Sequence, residues 1–498
     1  MGRAPFARMS VWHARRCAVP RTVSAIPPVL AATIAVTANE ASAIMIRMAH
    51  PDPTSLAGKH FPVREDCAHL VIGAGEAGIA AALASARAGE RTLLVDEHPL
   101  DPALIGMEIP FLFGGRMDAA VQNPARMEER IVAARPRLMQ AMDAGVEVRL
   151  GVTAWGGFVK GAASRTLARP LMGLADARVA WLVAFERLTI AAGARDVVLP
   201  FAGWTLPGVM GARGFDAALR LYGAFSGRQI AVVGGGAPAA GVVAAVRGAG
   251  LVVAAEVTAP TRLRFVGREA VEAVAWETAQ GWREAECDTV VLAADLVPNV
   301  ELAAVLGCAI RWDAARGGFV PALDGEGRTS LPMVRVAGDA AGTGAMMRGA
   351  WLTLALGDPA ALICACEEVT AEDLHALRPP RYLHAAGPQA GLAALDGLNQ
   401  DQVKRLTRAG MGACQGRRCR ESVHALLSAA QPAPMASYRP PLRPLPLRVL
   451  AALEEDPALR ANWTGWFGIA AQWLPHWEPV PEHAEFIGGW LSGEEVVK

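Results

Sequence analysis

Apolar positions along the chain fall into two rhythms, and their alternation predicts the architecture. Residues 70–72 form a short continuous apolar run that ends in glycines. An alanine-rich stretch with helical spacing follows, then a second apolar run at 92–95. The same order returns at 229–256, QIAVVGGGAPAAGVVAAVRGAGLVVAAE. Continuous apolar strands alternating with helices mark a mostly parallel sheet covered on both faces. Helical spacing is also read at 126–134 and 344–356, and strands at 146–150, 182–196, 289–294 and 334–337. FAGWTLPGVM, from Phe201, is a Pro- and Gly-marked connection at a domain boundary. Residues 431–447, QPAPMASYRPPLRPLPL, predict an extended strap or linker. The expected fold class is α/β with two Rossmann-like dinucleotide-binding domains.

Glycine placement turns two of these units into candidate nucleotide sites. Gly73-x-Gly75-x-x-Gly78 stands between strand and helix, with Ala77 in the helix's first turn. Its glycines serve a tight turn, close backbone approach to a pyrophosphate, and helix–strand packing, while the helix N-terminus faces the phosphates. Asp96 lies about twenty positions on, where a carboxylate binds ribose hydroxyls, and Glu97 takes that role if the strand runs one residue longer. Gly234-x-Gly236-x-x-Ala239 with Glu256 repeats the pattern and fits either NAD or an empty scaffold. The small-residue end Ala192-Gly193 lets a strand meet a bound cofactor closely. Gly114-Gly115-Arg116 offers a further turn near it. Gly338-Asp339 opens a helix, and after two fingerprints an aspartate on a flavin's ribityl chain is the better reading than a plain cap.

Four of the eight cysteines are grouped as Cys364-x-Cys366 and, distant in sequence, Cys414-x4-Cys419. Paired thiols on short loops are metal ligands, and four with no other obvious ligand fit zinc or a [2Fe–2S] cluster. Arg417, Arg418 and Arg420 around Cys419 either offset a cluster's charge or form a solvated face. Cys17, Cys67, Cys287 and Cys308 are dispersed, which argues against a disulfide scaffold and for a reducing compartment.

Composition narrows the class. At 498 residues and 52% hydrophobic the chain is globular, with about three domains expected. Lys plus Arg and Asp plus Glu both number 48, so no basic field argues for nucleic acid. No uncharged apolar run reaches the roughly 18 residues of a membrane-spanning helix. Arginines 3, 8, 15, 16 and 21 precede an apolar run at 25–36 and Ala41-Ser42-Ala43, which resembles an export signal. The competing reading, a true start at Met45 or Met48, is preferred and implies a cytoplasmic protein.

GAGEAG with Asp96, AAGARD, GWTLPGVM, GGGAPA and VAGDAAG, in that order, resemble two-dinucleotide-domain flavoproteins of the glutathione-reductase fold. With CACEEVT and TRAGMGACQGRRC behind them, residues 68–447 look more narrowly like the FAD-containing alpha subunits of sarcosine oxidase-like, opine oxidase-like and hydroxyproline dehydrogenase-like complexes. The resemblance implies FAD on the first unit, the second unit inserted in the first, and a small helical module like bacterioferritin-associated ferredoxin. In that module Cys364, Cys366, Cys414 and Cys419 would hold a [2Fe–2S] cluster. It further implies a flavin-containing beta subunit of D-amino-acid-oxidase-like fold, an FMN shared with it, a small third subunit, and a quinone-type acceptor.

The expected layout is an extension (1–67), FAD-binding segments (68–200 and 326–360) around an NAD-type domain (201–325), the cluster module (361–430), a Pro-rich linker (431–447) and a tail (448–498). That tail carries Trp463, Trp466, Trp473, Trp477 and Trp490, which need burial against the body or in a partner interface. Three departures stand out: the Gly-Gly turn comes late, one helix separates Asp339 from Cys364, and 378–397 looks inserted between the cysteine pairs. No C-x4-C follows the first fingerprint, which argues against a disulfide reductase. No acid–base pair for substrate oxidation is apparent. Two other classes stay open: a self-contained NAD(P)H-dependent reductase, and a zinc-stapled interaction protein.

Overall fold

The computed structural model describes residues 62–100, 123–160, 167–294, 296–313, 318–342, 350–379, 399–412, 414–428 and 436–455. The Gly114-Gly115-Arg116 turn, residues 380–397 of the insertion, the extension up to residue 61 and the tail beyond residue 455 lie outside them.

Strand β1 (Glu65–Ile72) leads through the first glycine turn into the helix Glu76–Arg87 and strand β2 (Thr92–Asp96). Helices Pro124–Ala134 and Arg137–Asp143 precede β3 (Glu147–Leu150), β4 (Thr153–Phe158), β5 (Leu171–Ala175) and β6 (Ala180–Ile190). Strands β3, β2, β1 and β6 lie side by side in parallel, and β4, β5 and β6 form an antiparallel meander. All of β2 is buried, as a strand covered on both faces requires, and the covering helix buries Ile79, Ala82 and Leu83. Strand β1 starts at Glu65, earlier than its apolar run. A bidentate pair with Arg149, both distances 2.6 Å, and a hydrogen bond from Trp181 Nε1 hold that polar end in the sheet.

Strand β6 stops at Ile190 rather than running on to Asp196, because Gly193 turns the chain at φ +69°. The chain restarts as β7 (Ala194–Asp196). A second sheet follows. It is built from β8 (Val209–Gly211), β9 (Gln229–Gly234), β10 (Val252–Val257) and, after the antiparallel meander β11 (Arg262–Val266), β12 (Ala273–Thr278) and β13 (Gly281–Glu286), from β14 (Thr289–Ala293). Its order, β10-β9-β14-β8, is parallel throughout, with the helix Gly236–Gly248 crossing between β9 and β10. Strand β15 (Leu296–Pro298) then returns antiparallel to β7, so two adjacent strands link the sheets. Beyond the hairpin β16 (Ile310–Asp313) and β17 (Gly318–Pro321), β18 (Val334–Val336) rejoins the first sheet beside the C-terminal half of β6. Gly338–Ala341 is a 3-10 turn rather than the start of an α-helix, and the described part of the next helix is Ala350–Leu356.

The last unit has its own core. Strands β19 (Leu362–Cys364) and β20 (Val369–Thr370) pack with helices Ala371–His375, Gln400–Thr407 and Arg420–Leu427 around Ile363, Leu374, Leu377, Val403 and Val423. Thr370 and Asn399 each close a capping box, which fixes where two of these helices start. From Ala436 the proline-rich strap crosses from this unit to the first sheet. Ser437 N donates to Asp401 at 3.1 Å, Leu442 N to Trp155 O at 2.6 Å, and Arg443 to Glu97 at 3.0 Å. Among the described residues no helix is long and apolar enough to cross a membrane.

Candidate functional site

The first glycine turn has the shape of a pyrophosphate cradle. A Cβ on Gly73 would stand 2.3 Å from Ala191 O, and one on Gly78 would stand 1.8 Å from Gly73 O, so backbone packing alone demands both glycines. Gly75 is different: a Cβ there meets nothing within 4 Å, and it stands at the N-cap of the helix Glu76–Arg87. That space before free helix N–H groups suits an anionic group. Gly75→Ala therefore separates binding from folding. It is expected to change stability by no more than about 0.5 kcal/mol while weakening flavin retention, read as thermal unfolding against flavin absorbance after desalting.

Around the cradle, Gly338 packs against Ala77, where a Cβ would come within 2.9 Å of the alanine methyl, so the Gly338-Asp339 turn abuts the fingerprint helix. Asp339 forms an ion pair with Arg213. Ala192 O accepts from Asn299 Nδ2 at 2.7 Å, and Gly193 O accepts from Asn299 N at 3.0 Å. Asp96 is buried. Its Oδ2 accepts from Ala74 N at 2.6 Å and pairs with Arg135 at 3.1 Å, and its Oδ1 accepts from His98 N at 2.9 Å. Burial opposes its charge, but Arg135 and these N–H groups win and hold the carboxyl below its ordinary range. Glu97, next in the chain, faces the strap's Arg443.

Arg195 and Asp196, on β7, were legible only as part of a small-residue strand end. Asp196 is buried and accepts from Arg213 N at 3.0 Å and Gly214 N at 3.4 Å. Burial outweighs these donors and lifts its carboxyl from 3.8 to about 6. A raised folded value means that the neutral form stabilises the fold fully below 3.8 and that this contribution is lost as pH rises through about 6. Asp196→Asn is expected to flatten the melting temperature across that window, measured at fixed ionic strength.

In the second glycine turn, Gly234 is fixed by crowding, its Cβ position lying 2.2 Å from Ala293 O, while Gly235 faces open space. The helix Gly236–Gly248 begins one position earlier relative to the motif than its counterpart in the first unit, and Ala239 belongs to its buried face. Glu256 lies within β10 and pairs with Arg247 at 3.1 Å, both largely exposed.

The four grouped cysteines converge. Cys364 and Cys419 lie within hydrogen-bonding reach of one another, as do Cys366 and Cys414. Each thiol–thiol contact holds one member of its pair below the usual thiol value and the other above it. Among the described residues no three ligating side chains close around a single ion, so the arrangement is two pairs. Glycine permits the approach, since a Cβ on Gly412 would stand 2.2 Å from Cys366 Cβ. The ion pair Arg408–Glu367, 2.8 Å, ties the two thiol loops together. The unit docks through Trp204 Nε1 to Leu362 O at 2.8 Å, through Ala365 and Ala425 against the second domain's core, and through Arg195 to Glu421 at 2.5 Å.

A family model described as pyridine nucleotide-disulphide oxidoreductase matches residues 68–280. The chain is similar to the A subunit of opine oxidase from Agrobacterium tumefaciens (strain Ach5), 26% identical over 487 residues that cover 77% of this chain and 91% of that one. It is also similar to the alpha subunit of sarcosine oxidase from Rhizobium meliloti (strain 1021), 34% identical over 172 residues, 33% of this chain and 16% of that one. Among solved structures, L-proline dehydrogenase from P. horikoshii shares the fold, with a TM-score of 0.55 and 19% identity over 78% of this chain and 81% of that one. With the matched model lying on the glycine cradle and its neighbours, the chain is an FAD-dependent oxidoreductase.

Proposed function

We infer that the chain is the electron-transfer subunit of a heteromeric dehydrogenase or oxidase acting on the C–N bond of an amino acid, imino acid or opine. A partner flavin subunit would hold the substrate, as the similarity to the opine oxidase and sarcosine oxidase subunits suggests. The observation that carries the reading is the meeting of four thiols in two pairs on a unit fastened to the second domain and to the strands that link the two sheets. A soft, all-thiolate donor set matches an iron–sulphur centre or zinc, and two pairs match the two irons of a [2Fe–2S] cluster better than one ion. When bound, FAD takes up two electrons and can release them singly, and an iron–sulphur centre takes one at a time.

The chain's own residues would position these groups. Gly73, Gly75 and Gly78 shape the phosphate turn, with Ala77 and Gly338-Asp339 against it. Cys364, Cys366, Cys414 and Cys419 present the sulphurs. An FMN shared with a beta subunit of D-amino-acid-oxidase-like fold, a small third subunit and a quinone-type acceptor complete the proposed assembly. Anaerobic purification with the neighbouring gene products tests it: one complex containing FAD, iron and acid-labile sulphide is expected. Zinc without iron, or an active oxidase of this chain alone, would refute it.

A second reading draws on the open turn at Gly235. A dinucleotide held by Gly234, Gly236, Ala239 and Glu256 would make the chain an NAD(P)H-dependent reductase. It expects NADH to bleach the flavin of the purified chain, and an unchanged spectrum removes it.

A further inference from the structure

One residue holds two consecutive carbonyls just beyond the end of β6. Asn299 Nδ2 donates to Ala192 O at 2.7 Å, and Asn299 N donates to Gly193 O at 3.0 Å. The residue before them, Ala191, walls the first glycine turn: the Cβ position of Gly73 lies 2.3 Å from Ala191 O, and that of Gly78 lies 3.2 Å from Ala191 Cβ. Gly193, in contrast, faces open space, since a Cβ there meets nothing within 4 Å. A trans peptide group points its N–H away from its C=O. With Ala192 O turned to Asn299, Gly193 N–H points the other way, and among the described residues it has no acceptor.

The buried Asn299 amide cannot turn over. Arg195 Nη1 donates to its Oδ1 at 3.2 Å; a guanidinium only donates and a carbonyl only accepts, so Nδ2 must face Ala192. Arg195 is held in turn by Glu301 at 2.9 Å and by Glu421 at 2.5 Å. Glu421 stands two residues after Cys419, in the first turn of the helix Arg420–Leu427. A continuous run of polar contacts therefore leads from the thiol unit to the peptide beside the glycine turn. The bond from Asn299 N is main-chain and survives any substitution, so what the side chain adds is its hold on Ala192.

We propose that Asn299 is a positioning residue for the flavin: it orients the Ala192–Gly193 peptide so that Gly193 N–H is left to the cofactor, and Arg195 ties that orientation to the docked thiol unit. The proposal rests on FAD occupying the first glycine turn. A main-chain N–H beside such a turn is the donor an anionic group takes. Asn299 acts through the peptide, and Glu421 acts through Arg195 and Asn299. By reciprocity, bound FAD strengthens the thiol unit's hold on β7 by the factor that docking strengthens FAD.

The test titrates the flavin-free full chain with FAD and reads the quenching of flavin fluorescence. Asn299→Ala is expected to weaken FAD by about tenfold, as loss of one buried hydrogen bond does. Asn299→Asp keeps an acceptor for Arg195 but sets an oxygen against Ala192 O, so it should not restore affinity. Melting of the flavin-free and FAD-loaded forms separates positioning from packing: a merely structural residue lowers both equally, whereas a positioning residue lowers the loaded form more. Glu421→Gln should weaken FAD by about threefold in the native background and add nothing to Asn299→Ala. Unchanged FAD affinity in Asn299→Ala, or equal lowering of both melting temperatures, overturns the positioning role; additive losses in the double variant overturn the link to the thiol unit. Gly75→Ala tells the two levels apart. If it too leaves FAD affinity unchanged, the placement of FAD at the first turn has failed; if it weakens FAD and Asn299→Ala does not, the role of Asn299 alone has failed.

Discussion

Cys419→Ser, prepared anaerobically, is expected to lack the iron and acid-labile sulphide that the proposed cluster would give the unaltered chain, while keeping its flavin. Cys419 is 1% exposed, lies against Cys364 and packs in the core of the thiol unit, so serine leaves the fold's shape but removes the soft ligand. Gly410, at φ +85°, brings the loop to the thiol, its Cβ position lying 3.9 Å from Cys419 Sγ. The two glycine turns sit on separate sheets with their own buried cores, so flavin should be retained. Metal binding and local folding are coupled in small ligand-stapled units. Amide exchange should therefore quicken in the helices Gln400–Thr407 and Arg420–Leu427 of the variant and stay unchanged in β1 and β9. Cys67→Ser is the control, a buried thiol in the first sheet whose Sγ lies 3.8 Å from Ala184 O. A metal content equal in Cys419→Ser and Cys67→Ser would sink the quartet as a ligand set.

Much of this was legible in the sequence wherever one local rule decided the outcome. Continuous apolar runs gave β1, β2 and β9, because strands buried on both faces need them. The separate tasks of Gly73 and Gly78 could be read from spacing, because the helix-to-strand approach admits no side chain there. The grouping of the cysteines was visible from their spacing, although their pairing across the two loops was not. Contacts made only in three dimensions left little trace. Arg195 stood in AAGARD as a bystander to small residues, and Asn299 carried no motif at all, yet together they join β7, β15 and the thiol unit. The end of β6 was misplaced because Gly193's positive φ, not hydropathy, ends the strand. Glu65 extends β1 through partners on β3 and β6, which no window along the chain contains.

Arg195→Met is expected to produce a large loss of stability, about 3–5 kcal/mol, as removal of one member of a buried ion pair does. Arg195 is 3% exposed and sits between Glu301, 2.9 Å away, and Glu421, 2.5 Å away, with Asn299 Oδ1 accepting a further hydrogen bond at 3.2 Å. The arginine stands on β7 and Glu421 on the thiol unit's last helix, so one side chain fastens the link between the two sheets to the thiol unit. Methionine replaces its stem and leaves both carboxylates without the guanidinium between them, with Arg420 and Arg443 the remaining cations that act on Glu301. The loss should therefore shrink when Glu301→Gln and Glu421→Gln are added, since the cost comes chiefly from stranded charge rather than missing volume. Arg195→Lys should fall between, because an ammonium cannot fork toward two carboxylates.

The pH dependence supplies an independent check. Burial alone would raise the Glu301 carboxyl, but Arg195 outweighs it and holds the group below its ordinary value of 4.5. A depressed folded value contributes stability that is present above the unfolded value and lost as pH falls through the folded one. Without Arg195, burial is opposed only by Arg443, Arg420 and a backbone hydrogen bond, so the carboxyl is held down less and the variant loses less stability on protonation. The stability gap between wild type and Arg195→Met should therefore narrow on going from pH 7 to about pH 4. A gap that holds constant across that range, with no rescue by the glutamine substitutions, would show that Arg195 acts through packing and not as the charged clamp between the linking strands and the thiol unit.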